Sequence, residues 1–158
     1  RYPKVLEVGC SNGHLSFHLA QRADELVCID VSERAVQLAS ERLKEFEHVV
    51  VENRKIPEDY SIQKFDLILI SEMVYYLSAD ELHQFIEKLK HSLNDDGEIL
   101  CCHWRHEIQD FELNAEQVHQ AFQQHFPFHH YLSLNDPDFM IDLWTVNTSS
   151  LAQQEKLR

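Results

Sequence analysis

Glu7-Val8-Gly9-Cys10-Ser11-Asn12-Gly13 closes the apolar run Val5, Leu6, Val8 with two glycines four positions apart. The run predicts a strand, the glycines a turn, and Leu15 with Leu19 a helix behind it. Glycine has no Cβ, so at positions 9 and 13 the backbone can lie close to a bound ligand. The dinucleotide pattern G-x-G-x-x-G requires glycine at 11 and 14, where Ser11 and His14 stand. That argues against NAD and FAD. A phosphate-binding P-loop needs lysine after its second glycine, and His14 follows Gly13.

Outward from this turn, strand and helix signals alternate. Leu26 to Ile29 is a second predicted strand, stopped by Asp30. Ser32 is an N-cap for a helix whose Val36, Ala39 and Leu43 share one stripe. Val49-Val50-Val51 is a third strand, closed by Pro57, and Phe65 to Ile70 a fourth, with a helix expected between them. Ser78-Ala79-Asp80-Glu81 has the capping-box pattern, and Leu82, Phe85, Ile86, Leu89 and Leu93 follow at helical spacing. Asn94-Asp95-Asp96-Gly97 is read as the end of that helix, ahead of a fifth strand over Ile99 to Cys102. Asn114 with Gln117 starts another helix, continued by Val118, Ala121 and Phe122. Phe128 to Leu134 and Phe139 to Val146 are strands joined by Asn135-Asp136-Pro137-Asp138, a link too short for a crossover, so they run antiparallel.

The alternation predicts an α/β fold: a Rossmann-like doubly wound sheet of seven strands, mostly parallel, with one antiparallel strand from the C-terminal hairpin. One domain is expected over residues 1–146. A polar tail over 147–158, with Thr148-Ser149-Ser150 and Gln153-Gln154-Glu155-Lys156, is expected to fray. In such a sheet, ligands bind beyond the carboxyl ends of the strands, where strand order reverses.

The 158 residues hold 27 Asp+Glu against 14 Lys+Arg, a net charge of −13. A surface of that sign repels phosphate backbones, so nucleic acid is not an expected partner. No apolar run approaches the roughly 20 residues a bilayer span needs, so no membrane partner is expected. Cys10, Cys28, Cys101 and Cys102 form no C-x-x-C pair and are read as reduced thiols of a cytoplasmic protein. The chain opens on Arg1 with no signal-peptide pattern, and a further N-terminal segment is expected upstream. His103, His106, His125, His129 and His130 invite a metal site, but no cysteine or carboxylate completes a four-ligand spacing. No metal is expected, and the oligomeric state is not legible.

Taken in order, these features resemble the class I S-adenosylmethionine-dependent methyltransferases. The first motif of that family, E-x-G-x-G-x-G, is matched by Glu7 to Gly13 with Ser11 in place of the middle glycine. The acidic residue that ends strand two is matched by Asp30 in Val27-Cys28-Ile29-Asp30-Val31-Ser32. Glu52-Asn53-Arg54, followed by Pro57, matches the polar segment after strand three. Phe65-Asp66-Leu67-Ile68-Leu69-Ile70-Ser71-Glu72 matches the fourth motif, and the terminal hairpin extends the likeness over nearly the whole chain. Ser71-Glu72-Met73-Val74-Tyr75-Tyr76-Leu77 is also similar to a segment of the nodulation protein S group, N-methyltransferases acting on an amino sugar. His103-Trp104-Arg105-His106 departs from the general pattern.

The resemblance implies S-adenosyl-L-methionine as cofactor and a nitrogen or oxygen atom of a small molecule as methyl acceptor. It assigns Glu7, Gly9, Cys10, Ser11 and Gly13 to the loop beside the cofactor, with Glu7 orienting the loop and the ammonium end of methionine. Asp30, followed by Val31, would accept both ribose hydroxyls. Glu52 or Asn53 would face the adenine edge, Arg54 would stack there, and Ser71 would stand at the end of strand four. Glu72 and His103 are candidate bases for an amine acceptor, and Tyr75 and Tyr76 candidate walls of its pocket. Blander roles stay open: Asp30 as a helix cap, Glu72 as a solvated carboxylate, the tyrosines as core. The rival function is a catalytically silent domain that binds the cofactor or a partner protein.

Overall fold

Seven strands form one sheet in the order β3-β2-β1-β4-β5-β7-β6. They are β1 (Tyr2–Val8), β2 (Ala23–Asp30), β3 (Val49–Asn53), β4 (Phe65–Ser71), β5 (Leu93–Trp104), β6 (His129–Asn135) and β7 (Phe139–Thr145). The structure is a computed structural model and describes residues 1–106 and 111–154. The helices are α1 (His14–Ala20), α2 (Glu33–Leu43), α3 (Ala79–Leu89), α4 (Ala115–His125) and α5 (Leu151–Gln154), with a 3-10 turn at Val74–Tyr76. All pairings from β3 to β5 are parallel. β7 runs antiparallel to both its neighbours, β5 and β6, and is the one reversed strand.

Side-chain alternation sorts the core onto the two faces. Leu6, Val8, Ile68, Ile70 and Ile99 pack with Phe85, Ile86, Val118 and Phe122 beneath α3 and α4. Val5, Leu26, Cys28 and Leu67 pack with Ala20, Ala39 and Leu43 beneath α1 and α2. Helices on both faces bury β4 along almost its whole length, which is why Phe65 to Ile70 is apolar apart from Asp66, whose carboxylate accepts the Lys4 N–H and the Asn94 amide. β1 pairs with both β2 and β4, so strand order reverses between β1 and β4 and leaves a crevice at their carboxyl ends.

The expected caps form. Ser32 Oγ accepts the Ala35 N–H, and Ser78/Glu81 and Asn114/Gln117 each close a reciprocal capping box. Three expectations change. No helix links β3 to β4: residues 54–64 run in turns, closed by the Lys55 N–H on the Asp59 carboxylate and the Asp59 N–H on the Lys55 carbonyl. Asn94 to Gly97 does not end α3, which is already capped at Lys90. Those residues bulge out of β5 instead, five steps from Leu93 to Glu98 facing two from Phe65 to Leu67. The start of the tail is held: Asn147 donates to Asp96 at 2.8 Å and accepts the Ser149 N–H at 2.8 Å, ahead of α5. Side-chain bonds there replace the apolar anchor the sequence lacks, while Glu155 and Lys156 lie outside the described residues. Among the described residues no helix is long and apolar enough to cross a membrane.

Candidate active site

A cavity of about 630 Å³ opens at the crevice. That lies within the range of about 300–1,000 Å³ common to small-molecule sites. The turn after β1 contributes Gly9 and Ser11; the end of β2 contributes Asp30 and Val31; the end of β4 and the segment through the 3-10 turn contribute Ser71, Glu72, Met73, Tyr75 and Tyr76; the segment after β3 adds Arg54, Lys55 and Ile56.

Asp30 sits at the last position of β2. One carboxylate oxygen accepts the Ser11 N–H at 2.9 Å and the other the Ser32 N–H at 2.9 Å. A carboxylate offers about four acceptor sites, so two remain for a ligand after these two bonds are made. The beginning of the loop packs tightly against the segment after β4. Gly9 has φ +81°, and a Cβ there would meet the Met73 side chain at 2.8 Å. Ser11, in the place of the family's middle glycine, also adopts the left-handed region at φ +49°. Val31 is 63% exposed, a large apolar side chain left open beside Asp30 in the cavity wall.

Five expected cofactor residues take supporting positions instead of lining the cavity. Glu7 alternates with Leu6 and Val8 and so points to the α1/α2 face. There it accepts the hydroxyl of Ser16 and the thiol of Cys28, beneath the loop. Burial pushes its carboxyl up to about 7, against the lowering effect of those two hydrogen bonds. Cys10 is buried, and burial followed by the Glu7 charge pushes its thiol up to about 12. Gly13 is the N-cap of α1 at φ +75°, and a Cβ there would press on Ala39 at 3.0 Å from its Cα, so it serves helix packing. Asn53 donates its amide to the carbonyls of Asp30 and Val31 and pins the end of β2. Glu52 pairs with Arg54 at 2.8 Å. Arg54 also donates to Ser61 at 2.6 Å, so it reaches the rim restrained on both sides.

Glu72 follows the last residue of β4 with φ +57°, its N–H given to the Cys102 carbonyl at 3.0 Å. A non-glycine residue in that region carries strain of the kind concentrated at functional sites. Tyr75 donates its hydroxyl to Glu72 Oε2 at 2.5 Å. Burial first, and the Glu72 hydrogen bond second, push the Tyr75 hydroxyl far above its ordinary value, so it stays a donor. His103 does not line the cavity. It is fully buried behind Tyr75, and burial, with His119 next, lowers it to about 3. It cannot meet an acceptor directly as a base. Met73, Lys55, Ile56 and Leu77 line the cavity without having been expected. Met73 and Leu77 lie in the matched segment 71–77, but Lys55 and Ile56 become wall residues only through turns that leave no periodic signal.

The described residues include no group of three His, Cys, Asp or Glu side chains arranged to hold a metal ion. Sheet order, glycine turn and cavity define a Rossmann-like protein of the class I methyltransferase type. Residues 6–99 match the family described as methyltransferase domain, and the chain belongs to that family. Nodulation protein S of Bradyrhizobium diazoefficiens is 31% identical over 105 residues, covering 66% of this chain and 50% of its own length. The chain thus spans about half the length of that curated relative. A crystal structure of a presumed methyltransferase from Pseudomonas syringae is 41% identical with a TM-score of 0.80, covering 92% of this chain and 88% of its own. The N-methyltransferase NodS from Bradyrhizobium japonicum WM9, solved with S-adenosyl-L-homocysteine, shares the fold at TM-score 0.81 and 22% identity, covering 94% of this chain and 79% of its own.

Proposed function

We propose that this chain transfers a methyl group from S-adenosyl-L-methionine to a nitrogen or oxygen atom of a small molecule, with an amino sugar as the acceptor class we favour. The carrying observation is the Asp30 carboxylate, fixed by two backbone N–H groups at the cavity wall with acceptor sites to spare for a ribose diol. Val31 and Ile56 supply apolar surface for a purine, and Gly9 and Ser11 line the cavity where the donor would pass the β1 turn. No pyrophosphate cradle is present in Gly9 to Gly13, which suits a nucleoside ligand without phosphates. When bound, the cofactor supplies an electrophilic methyl on a cationic sulfonium.

The chain's own contribution is then binding, alignment and proton custody. Holding acceptor, methyl and sulfur in line provides most of the acceleration for a displacement of this kind. A protonated amine must first lose its proton. Tyr75 occupies Glu72 Oε2 and leaves Oε1 to take it. Glu72 and Glu81 on the cavity wall, beside the rings of Tyr75 and Tyr76, favour a cationic acceptor over an anionic one. The name of the Bradyrhizobium relative, an N-methyltransferase, supports the same choice. Free cysteines, three of them buried, fit a reducing cytoplasm.

Titration calorimetry with S-adenosylhomocysteine and with NAD tests the cofactor. Binding of the former is expected, and binding of NAD alone would overturn the proposal. A transfer assay over amines, amino sugars and phenols tests the acceptor. Bound cofactor with no transfer to any of them would favour the silent binding domain.

A further inference from the structure

Behind Tyr75 lies a row of buried polar side chains that the methyl-transfer proposal leaves unused. The Tyr75 and His103 rings meet edge to face, centroids 5.4 Å apart at 69°. His103 Nδ1 lies 2.9 Å from His119 Nε2, and His119 Nδ1 lies 2.6 Å from Asp142 Oδ2. His130 Nε2 completes the row, 2.7 Å from Asp142 Oδ1. Five elements contribute one member each: the 3-10 turn, β5, α4, β7 and β6. His103, His119 and Asp142 are buried, and His130 is half-buried at the outer end.

The hydrogen-bond directions follow from chemistry. An ionised Asp142 only accepts, so His119 Nδ1 donates to it. The His119 Nε2 to His103 Nδ1 hydrogen bond then places one proton between the two rings. Burial alone would raise the Asp142 carboxyl, but hydrogen bonds from His119, Ser133 and His130 hold it down at about 2. The remaining atom, His103 Nε2, is buried with no hydrogen-bond partner among the described residues. Leaving such an atom unpaired costs stability. A leucine at 103 would fill space on the α3/α4 face without that cost. What leucine cannot do is fix a ring rotation, because dispersion contacts have little direction whereas the two-bond chain through His119 to Asp142 has a defined one.

We propose that His119 and Asp142 are positioning residues for methyl transfer: through His103 they hold the Tyr75 ring, and through its hydroxyl the Glu72 carboxylate, where the acceptor meets them. The path is contiguous, from Asp142 to His119 to His103 by hydrogen bonds, on to Tyr75 by ring contact, and to Glu72 by a hydrogen bond. A purely structural role would tie the β6–β7 hairpin to α4 and affect stability alone.

The proposal rests on the methyltransferase function, so its test has a second arm that needs no turnover. In the full chain, Asp142→Asn and His119→Gln should each lower kcat about tenfold, since small misplacements remote from the chemistry act on rate. S-adenosylhomocysteine affinity should stay within twofold, because neither residue lines the cavity. In a Tyr75→Phe background the same changes should cost less than threefold, as expected for residues acting through that hydroxyl. In ¹³C-tyrosine-labelled protein, the Tyr75 ring resonances, assigned by their loss in Tyr75→Phe, should shift in both variants. Turnover within twofold of the parent at a temperature where the variants are folded would overturn the proposal, as would an equal loss in the Tyr75→Phe background. His119→Gln can replace the Nε2 acceptor but not the Nδ1 donor, so it cuts the link to Asp142, and it serves alone if Asp142→Asn does not fold. Should the parent chain transfer no methyl, the methyltransferase function falls, and unmoved Tyr75 resonances would overturn the positioning role separately.

Discussion

Asp30 accepts the Ser11 backbone N–H at 2.9 Å and so ties the last residue of β2 to a serine held in the left-handed region. One carboxylate thereby shapes the turn after β1 and faces the cavity. Asp30→Ala should weaken S-adenosylhomocysteine binding by about 1.5–3 kcal/mol, the range for hydrogen bonds to a charged group. Calorimetry on the folded variant reads this directly, and unchanged affinity would remove the ribose assignment.

Ser11 carries the strain at this junction. Holding a Cβ-bearing residue at φ +49° costs on the order of 1 kcal/mol, and glycine escapes that cost while losing more entropy on folding. Ser11→Gly should therefore range from neutral to about 1 kcal/mol more stable. Ser11→Val, β-branched in the same region, should lose roughly 2 kcal/mol. Urea melts of the two variants against the parent give both numbers.

Glu7 makes stability depend on pH in the sense opposite to an ion-paired carboxylate. Its ordinary value of 4.5 rises to about 7 in the fold, chiefly through burial. Between those values the native state binds the proton that the unfolded chain releases. This contribution is full below about 4.5, declines as pH rises through 7, and is then gone. Glu7→Gln removes the dependence. The variant should gain on the parent between pH 5 and pH 8, measured as the change in the difference of their urea midpoints.

Glu72→Gln keeps the shape of the wall and the bond to Tyr75 but cannot take a proton. Turnover with an amine acceptor should fall by about 10²–10⁴-fold, the usual contribution of general base catalysis, with cofactor affinity nearly retained. Full activity across the pH range would show that the acceptor arrives already deprotonated.

Much of the architecture is legible locally. Apolar spacing at two, three and four residues, the Ser78/Glu81 and Asn114/Gln117 boxes, and the short Asn135–Asp138 link predict strands, helices and an antiparallel hairpin because each depends on near neighbours. Asp30 was equally readable, standing where an apolar strand meets a helix cap. The polar neighbours were less so. Nothing in the string Glu52-Asn53-Arg54 tells that glutamate restrains arginine while asparagine braces β2, since both outcomes follow from turns after β3 that carry no period. The Asn94–Gly97 bulge was misread for a similar reason: turn residues mark a break in regularity without saying whether a helix or a strand is broken.

By itself, then, the amino-acid order determined an alternating α/β chain with a glycine turn and an aspartate at adjacent strand ends, because periodicity and capping act over a few residues. Tertiary structure alone decided that Glu7 faces α1 instead of the cavity, and that His103, His119, Asp142 and His130 touch in a row behind Tyr75. Those contacts join residues on separate elements, brought together by the reversed strand β7 lying between β5 and β6. Strand order of that kind is a property of how whole faces are buried, and no short stretch of sequence contains it.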